Sequence, residues 1–143
     1  MKIIKANKTD LESIVNLNKQ FHLDFPWFKW DTIEWVEETI DNGDYYVMKD
    51  NDVVIGSICL KTLYNVCDVE TIAVQKDKHK SGVGRELIEF AIEFAKKEGK
   101  NKLNVGSFCE YGTKGFYEKC GFITESKLSK YRRHPYYRFS MDI

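Results

Sequence analysis

Hydrophobic and polar residues follow two different periods along this chain, and these periods divide it into strands and helices. Short runs of β-branched and aromatic residues, bounded by Gly, Asn or Asp, are typical of strands. Longer stretches with apolar residues three and four positions apart are typical of amphipathic helices. The predicted strands cover residues 2–6, 45–49, 53–63, 66–74, 102–107, 123–128 and 136–141.

Four helices are predicted between these strands. Thr9 or Asp10 can cap the first, and Asp31 is expected to cap the second, because short polar side chains accept hydrogen bonds from the free N–H groups of a helix start. The third helix covers residues 82–97 and carries the longest apolar stripe. A short fourth helix covers residues 113–119.

The order of these elements indicates a mixed α/β sheet covered by helices. Asp50-Asn51-Asp52 separates two strands as a hairpin turn would, so the strands at 45–49, 53–63 and 66–74 are expected to form an antiparallel meander. Strands alternate with helices in the second half, which implies parallel pairing there. We therefore expect a single domain over residues 1–143, with about seven strands and four helices.

Composition narrows the classes of function and location. The 22 Lys and Arg residues equal the 22 Asp and Glu residues, so no extended nucleic-acid surface is expected. No signal-peptide pattern and no stretch of membrane-spanning length is evident, so the expected location is the cytoplasm, without a membrane partner. The cysteines lack metal-ligand spacing, which predicts reduced thiols and no metal site. They are Cys59, Cys67, Cys109 and Cys120.

The most informative segment leads from the strand at 66–74 into the helix at 82–97. Here His79-Lys80-Ser81-Gly82-Val83-Gly84-Arg85 places two glycines, one residue apart, at the helix start. Glycine is unfavourable there unless the backbone needs a positive φ or the close approach of a ligand. Free N–H groups and the helix dipole bind phosphate at such a place, and Lys80 and Arg85 can add positive charge. The segment therefore predicts a site for a phosphorylated ligand.

A second segment, Phe116-Tyr117-Glu118-Lys119-Cys120-Gly121-Phe122, lies about thirty residues beyond the glycine turn. Together the two segments resemble the GNAT superfamily of acetyl-CoA-dependent N-acyltransferases. Its signature is a Q/R-x-x-G-x-G/A loop, followed later by an F-Y-E-x-x-G-F segment. The resemblance covers essentially the whole chain, most firmly residues 69–122. It implies the GNAT fold, acetyl-CoA as co-substrate, and direct attack of a primary amine on the thioester.

The resemblance also implies which residues hold the coenzyme. In the family, the turn binds the diphosphate through its main chain, and the preceding strand pairs with the pantetheine amides like an added strand. A backbone N–H near Val74 would then meet the charge that develops on the thioester oxygen. The residues implied are Ile72, Ala73, Val74, His79, Lys80, Ser81, Gly82, Val83, Gly84, Arg85 and Tyr117.

Two residues, one in the glycine turn and one before the F-Y segment, depart from the family pattern. His79 stands where the family usually has Gln or Arg, but the backbone N–H groups of the turn do most of the binding. Glu110 stands where many members carry an Asn before the F-Y segment. The departures concern side chains, and the backbone part of the implied coenzyme site is unaffected.

Two catalytic roles follow from the resemblance. Tyr117 would donate a proton to the departing coenzyme A sulfur, since a phenol of pKa near 10 and a thiol near 8.5 are reasonably matched. Glu70 would accept the amine proton directly or through water, with Asp68, on the same strand face, in reserve. A base is useful because a lysine-like amine of pKa about 10.4 is almost entirely protonated at pH 7. The alternatives are a packed aromatic at Tyr117 and solvent-facing carboxylates at 68 and 70.

The sequence does not identify the acceptor amine. The aromatic segment 21–30, which contains Asp24, lies where GNAT folds often wall the acceptor site, and aromatic faces suit a cationic amine. Residues 131–137 form either the opposite wall or simply the last turn. Two competing functions are an acyl-CoA-binding regulator without turnover and a nucleotide-binding P-loop at 106–114, whose spacing has one residue too many. A homodimer is a common arrangement for compact enzymes.

Overall fold

A computed structural model describes residues 2–143, which form eight strands and four α-helices. The strands are β1 (Ile3–Lys5), β2 (Tyr45–Asp50), β3 (Val53–Leu63), β4 (Val66–Val74), β5 (Lys102–Phe108), β6 (Ile123–Thr124), β7 (Ser129–Tyr131) and β8 (His134–Asp142). The helices are α1 (Leu11–Lys19), α2 (Ile33–Asp41), α3 (Val83–Lys97) and α4 (Lys114–Lys119). The predicted mixed α/β architecture with four helices is confirmed. The predicted strand count is one too low, because the strand expected at 123–128 is replaced by β6 and β7.

The start of the first helix is capped differently from the prediction. Asn7 caps a short 3₁₀ turn that leads into α1, and Asp10 stands at the N-cap position of α1 itself but makes no side-chain capping hydrogen bond there. Its side chain accepts a hydrogen bond from Thr9 N at 2.9 Å, and the Asp10 carboxylate accepts one from Asn7 N at 3.0 Å. This reciprocal arrangement is a capping box, which satisfies two N–H groups at once. The helical turn therefore begins two or three residues earlier than expected.

The cap of α2 lies one residue away from the predicted position. Thr32 caps the helix, since its hydroxyl accepts a hydrogen bond from Trp35 N at 3.3 Å. Asp31 is buried instead, and its carboxylate lies 2.7 Å from Nδ1 of His22. A carboxylate with a histidine partner is not free to cap, so the neighbouring threonine takes that role.

The chain forms two compact units, the first of which comprises residues 1–60 and 71–87. In its described part, β1, β2 and β3 pair antiparallel in that order, as predicted for the hairpin of β2 and β3. Asn51 and Asp52 have φ of +50° and +66°, as a tight hairpin turn requires. The core of the unit combines apolar residues of both helices and these strands. Among them are Ile14, Leu17, Val36, Ile40, Tyr45, Val47 and Val54.

The second unit comprises residues 61–70 and 88–143. In it, β4 pairs with β5 in parallel, from Val66 opposite Lys102 to Val69 opposite Val105, as predicted for this half of the chain. The pairing of β5 with β8 is antiparallel, and β6 and β7 both pair antiparallel with β8. Side chains therefore alternate between two faces of this part of the sheet. None of the helices in residues 2–143 has the length and apolar character needed to cross a membrane.

Candidate functional site

The turn that leads into α3 has an unusual backbone. Gly82 has φ of +91°, and Lys80, two residues earlier, has φ of +66°. A positive φ costs a residue with a side chain about 1–2 kcal/mol, so Lys80 holds a strained conformation. Left-handed residues in a turn direct successive backbone N–H groups toward one side, which creates a concavity that suits an anion. The glycines were predicted to need special backbone geometry, and Gly82 confirms this.

Hydrogen bonds inside the turn leave the helix start open. Ser81 N donates to Lys78 O at 3.2 Å, and the Ser81 hydroxyl donates to the same oxygen. The helical pattern of hydrogen bonds begins with Glu86 N, which donates to Gly82 O at 3.0 Å. The N–H groups of the first helical turn come before Glu86 in the chain, so they point out of the N-terminal end of α3. Gly82 and Arg85 are exposed, which leaves this end accessible to a ligand.

A glycine that the sequence did not single out fixes the start of α3. A Cβ atom on Gly56 would lie 3.0 Å from Val83 Cγ1 and 3.1 Å from Leu87 Cδ1. The first turns of α3 therefore pack directly on the backbone of β3, and a side chain at this position would push them away. Val83 and Leu87 are both buried. This contact holds the helix N-terminus in a defined place within the first unit.

The end of β4 carries backbone groups that the sheet does not use. Gln75 N donates to Ile55 O of β3 at 2.9 Å, and the Ala73 carbonyl also lies on the β3 side, 3.6 Å from the position of a Gly56 Cβ. Since main-chain groups alternate along a strand, those of Ile72 and Val74 point to the opposite edge. In the described part of the chain, pairing of β4 with β5 stops at Val69. Of the three implied pantetheine residues, Ile72 and Val74 thus present their N–H and C=O groups away from β3.

His79 connects the turn to this strand. Its Nε2 lies 2.8 Å from the Val74 carbonyl oxygen, so Nε2–H donates to that carbonyl. The ring also stacks on Phe21, with centroids 6.3 Å apart and an interplanar angle of 15°. The sequence marked His79 as one of the implied coenzyme residues and as a departure from the family pattern. Its bond to β4 could not be derived from the sequence, because it depends on where the turn folds back.

Tyr117 lies in α4 and is buried in an aromatic cluster of the second unit. Its ring centroid is 4.8 Å from that of Phe139, 5.1 Å from Phe116 and 5.7 Å from Phe122. Burial, with a smaller contribution from Cys120, raises the pKa of the Tyr117 phenol above its ordinary value. The phenol therefore stays protonated at neutral pH, which is the form that a proton donor needs.

The two carboxylate candidates, Asp68 and Glu70, lie on the same half-buried face of β4. Burial raises the pKa of the Asp68 carboxyl, Glu70 raises it further, and Arg138 opposes both effects. A carboxylate with a raised pKa is a stronger base, so this environment suits proton acceptance. The electrostatic environment of Asp68, the reserve candidate in the sequence, thus favours a role as proton acceptor.

The aromatic segment 21–30 forms a cluster within the first unit. The Phe28 ring lies edge-on to the rings of Phe25 at 5.5 Å, Trp30 at 5.1 Å and His22 at 4.9 Å. Phe28 is buried, whereas Trp27 is half exposed and Asp24 is exposed. In the second unit, residues 131–137 comprise the end of β7, the hairpin turn and the start of β8. Their assignment as walls of an acceptor site stays a prediction.

The four cysteines are free thiols in the described structure. Cys59 and Cys67 are buried, and Cys109 and Cys120 are half-buried. Burial raises the pKa of Cys67 to about 11, so this thiol is not a ready nucleophile. Within residues 2–143, no group of three or more His, Cys, Asp or Glu residues is arranged to hold a metal ion.

The chain is similar in sequence to a known protein family and to a curated relative. Residues 11–122 match the sequence model of the acetyltransferase (GNAT) family, a range that includes the turn and Tyr117. A curated relative, the uncharacterized N-acetyltransferase YvbK of Bacillus subtilis (strain 168), is 33% identical over 89 residues. The match covers 61% of this chain and 57% of that protein, so it spans little more than half of the relative's length.

Solved structures share the fold over nearly the whole chain. Ard1 from Thermoplasma volcanium has a TM-score of 0.84 and 15% identity, covering 99% of this chain and 97% of that chain. Rv2747 from Mycobacterium tuberculosis, solved in complex with CoA, has a TM-score of 0.82 and 14% identity, covering 100% and 99%. At these identities the likeness shows the fold alone.

Proposed function

Since the chain belongs to the acetyltransferase (GNAT) family, we propose that it transfers an acetyl group from acetyl-CoA to a primary amine. The observation that carries the proposal is the exposed turn at residues 79–85, with positive φ at Lys80 and Gly82, at the N-terminus of a fifteen-residue helix. A diphosphate carries two negative charges and many acceptor oxygens, which this turn can meet with N–H groups, the helix dipole and nearby cations.

The strand that precedes the turn supports a role for the pantetheine arm. Ile72 and Val74 point their N–H and C=O groups away from β3, as an added strand requires. His79 Nε2–H already donates to the Val74 carbonyl, so a pantetheine N–H would have to share or take over that acceptor. In the proposed complex, His79 joins the diphosphate turn to the pantetheine strand.

The chemistry that we propose needs no covalent enzyme intermediate. The neutral amine nitrogen forms a bond to the thioester carbonyl carbon, and the oxygen takes up the displaced electron pair. A backbone N–H near Val74 stabilises that oxyanion. The C–S bond then breaks, and the sulfur leaves with its electron pair and takes a proton. Proximity of the two bound reactants supplies much of the acceleration.

Two proton transfers complete the proposed reaction. Tyr117 is assigned as the donor to the coenzyme A sulfur, which is supported by its position in the Phe116-to-Phe122 segment and by a pKa that burial keeps high. The Glu70 or Asp68 carboxylate accepts the amine proton, directly or through water. The raised pKa of the Asp68 carboxyl supports the carboxylate role.

The experiment that tests the proposal measures release of free thiol from acetyl-CoA with a panel of amines. We expect amine-dependent thiol release, with an acetylated amine of matching mass as the second product. Acetyl-CoA without an amine serves as the control for hydrolysis. Tight binding of acetyl-CoA without turnover on any amine would favour a regulatory module instead, and absence of binding would remove the proposal altogether.

A further inference from the structure

One face of the sheet in the second unit is polar and half exposed. The register of β4, β5 and β8 places Asp68 opposite Asn104, and Asn104 opposite Ser140. One step further along, Arg138 lies opposite Gly106. Most of the residues that alternate with these are buried and form the other face, among them Cys67, Val69, Leu103, Val105 and Phe139. We call the polar side, made of Asp68, Glu70, Asn104, Gly106, Tyr136, Arg138 and Ser140, the polar sheet face.

A notch lies at Gly106 on the polar sheet face. Gly106 is exposed and has no side chain, and a Cβ atom there would lie 3.2 Å from the ring of Tyr136. The Tyr136 ring therefore lies against the backbone of β5, beside the exposed glycine. Such a close approach is a recognised reason for a glycine inside a strand.

Opposite charges flank this notch. Glu70 follows Val69, which pairs with Val105, so it lies on the β4 side of Gly106. Arg138 lies on the β8 side, one interstrand spacing of about 4.8 Å from Gly106, so the glycine stands between the two charged residues. Their side chains can reach toward one small molecule bound over the glycine.

The polar groups around the notch are only partly satisfied by the protein. Asn104 Oδ1 is buried and has no hydrogen-bond partner within residues 2–143, so it can accept from an N–H of a bound molecule. Arg138 Nε lies 3.7 Å from Glu125 Oε2, and both side chains are about half exposed. A surface ion pair of this kind contributes about 0–1 kcal/mol, so a ligand carboxylate can displace it.

We propose that the polar sheet face binds the acceptor, and that the acceptor is a small primary amine that also carries a carboxylate, as amino acids do. Its ammonium would lie at Glu70 and Asp68, and its carboxylate would pair with the guanidinium of Arg138. Arginine binds carboxylates with two parallel hydrogen bonds, which adds directional specificity. A diamine would place a second cation against Arg138, so it is disfavoured. This inference rests on the proposed acetyl transfer and names its substrate class.

The test compares amino acids with the amines that remain when their carboxylate is removed, such as phenylalanine with phenylethylamine and lysine with 1,5-diaminopentane. The readout is kcat/KM from thiol release. We expect the wild-type protein to prefer each amino acid by about tenfold or more, as a charged hydrogen-bonded pair implies. Arg138→Gln should lower kcat/KM for the amino acids by about the same factor and bring the ratio close to one.

Two further variants make this test specific. Lys127→Gln removes one exposed positive charge from the same unit without touching the polar sheet face, so the preference should be unchanged. Gly106→Ala places a methyl group 3.2 Å from the Tyr136 ring, which must shift over the polar sheet face; this should raise KM for the amino acid several-fold, without changing the affinity for acetyl-CoA. A preference that shifts equally in Lys127→Gln would reflect net charge and would overturn the assignment of Arg138.

Different experimental results would overturn this inference and the proposed function. Turnover of amines without preference for the carboxylate partner, or an unchanged preference in Arg138→Gln, overturns the substrate class alone. Absence of thiol release with every amine overturns the acetyl transfer. In that case, calorimetry of amino-acid binding to the wild-type and Arg138→Gln proteins, in the absence of acetyl-CoA, still tests the polar sheet face as a binding site. The assignment is refuted if the two proteins bind the amino acid equally, or if the wild type does not bind it.

Discussion

Replacing Gly82 with alanine isolates the contribution of the turn before α3. Gly82 has φ of +91°, and no atom lies within 4 Å of the position that an alanine Cβ would take. The substitution therefore introduces no clash, and its entire cost is the strain of a positive φ. For a residue with a side chain that strain is about 1–2 kcal/mol.

The strain can lower either the affinity for acetyl-CoA or the free energy of unfolding, depending on how firmly the ligand-free protein holds the turn in its conformation. Residues 79–82 are exposed, so we expect the ligand-free variant to relax to a negative φ at little expense. Binding of acetyl-CoA would then have to restore the strained shape. A cost of about 1–2 kcal/mol corresponds to a loss of affinity of about 5- to 30-fold, with a change in the free energy of unfolding below about 0.5 kcal/mol.

Gly99→Ala is the matched control. Gly99 has φ of +72°, also with no atom within 4 Å of its Cβ position, and it follows the end of α3 in the second unit. Hydrogen bonds from Gly99 N to Lys96 O at 3.1 Å and from Lys100 N to Ala95 O at 2.9 Å hold it in place. Its strain should therefore lower the free energy of unfolding by about 1–2 kcal/mol and leave acetyl-CoA affinity unchanged.

Calorimetric titration with acetyl-CoA and urea unfolding of the two variants measure both quantities. If Gly82→Ala binds acetyl-CoA as tightly as the wild type while Gly99→Ala shows its loss of stability, the turn does not hold the coenzyme in its observed shape. Equal loss of affinity in the two variants would indicate a general disturbance of the fold and would also contradict the reasoning.

Three further predictions concern single side chains. Tyr117→Phe should lower kcat about 10- to 1,000-fold with little change in acetyl-CoA affinity, and an unchanged kcat would remove its assigned role. His79→Ala should raise KM for acetyl-CoA about 2- to 10-fold through loss of the bond to Val74 O, whereas His79→Gln should retain more of the affinity; equal KM values in all three proteins would refute this. The raised pKa of the Asp68 carboxyl means that its contribution to stability is full below about pH 4 and is lost as pH rises. Asp68→Asn should therefore gain stability relative to the wild type at pH 7 but not at pH 3, as urea unfolding at both pH values would show.

The architecture was predictable where local signals agree with the tertiary structure. The strands around the Asp50-Asn51-Asp52 turn, and the end of α3 before Gly99, lie within a residue or two of their predicted limits. The strand expected at 123–128 failed for a physical reason. Arg132 and Arg133 form the turn of the β7 and β8 hairpin with φ of +47° and +73°, and arginine gives no signal for such a turn, which usually contains Asn or Gly.

The candidate site was predictable only in its backbone part. Glycine spacing and helix pattern indicate the diphosphate turn, because phosphate binding at a helix N-terminus depends on main-chain geometry. The bond between His79 and the Val74 carbonyl, and the alignment of Arg138 with Gly106, depend on a chain reversal and on strand register. Neither can be read from residue spacing, since a shift of one residue in register would turn Arg138 to the other face.

The proposed coenzyme site depends most on the main-chain amides of the turn at residues 79–85, which we assign to the diphosphate. A titration of ¹⁵N-labelled protein with acetyl-CoA, followed by backbone amide chemical shifts, tests this directly. We predict that the largest changes occur at these amides and at those of Ile72 and Val74. Saturable binding that leaves these amides unchanged and instead shifts those of residues 106–114 would contradict the account.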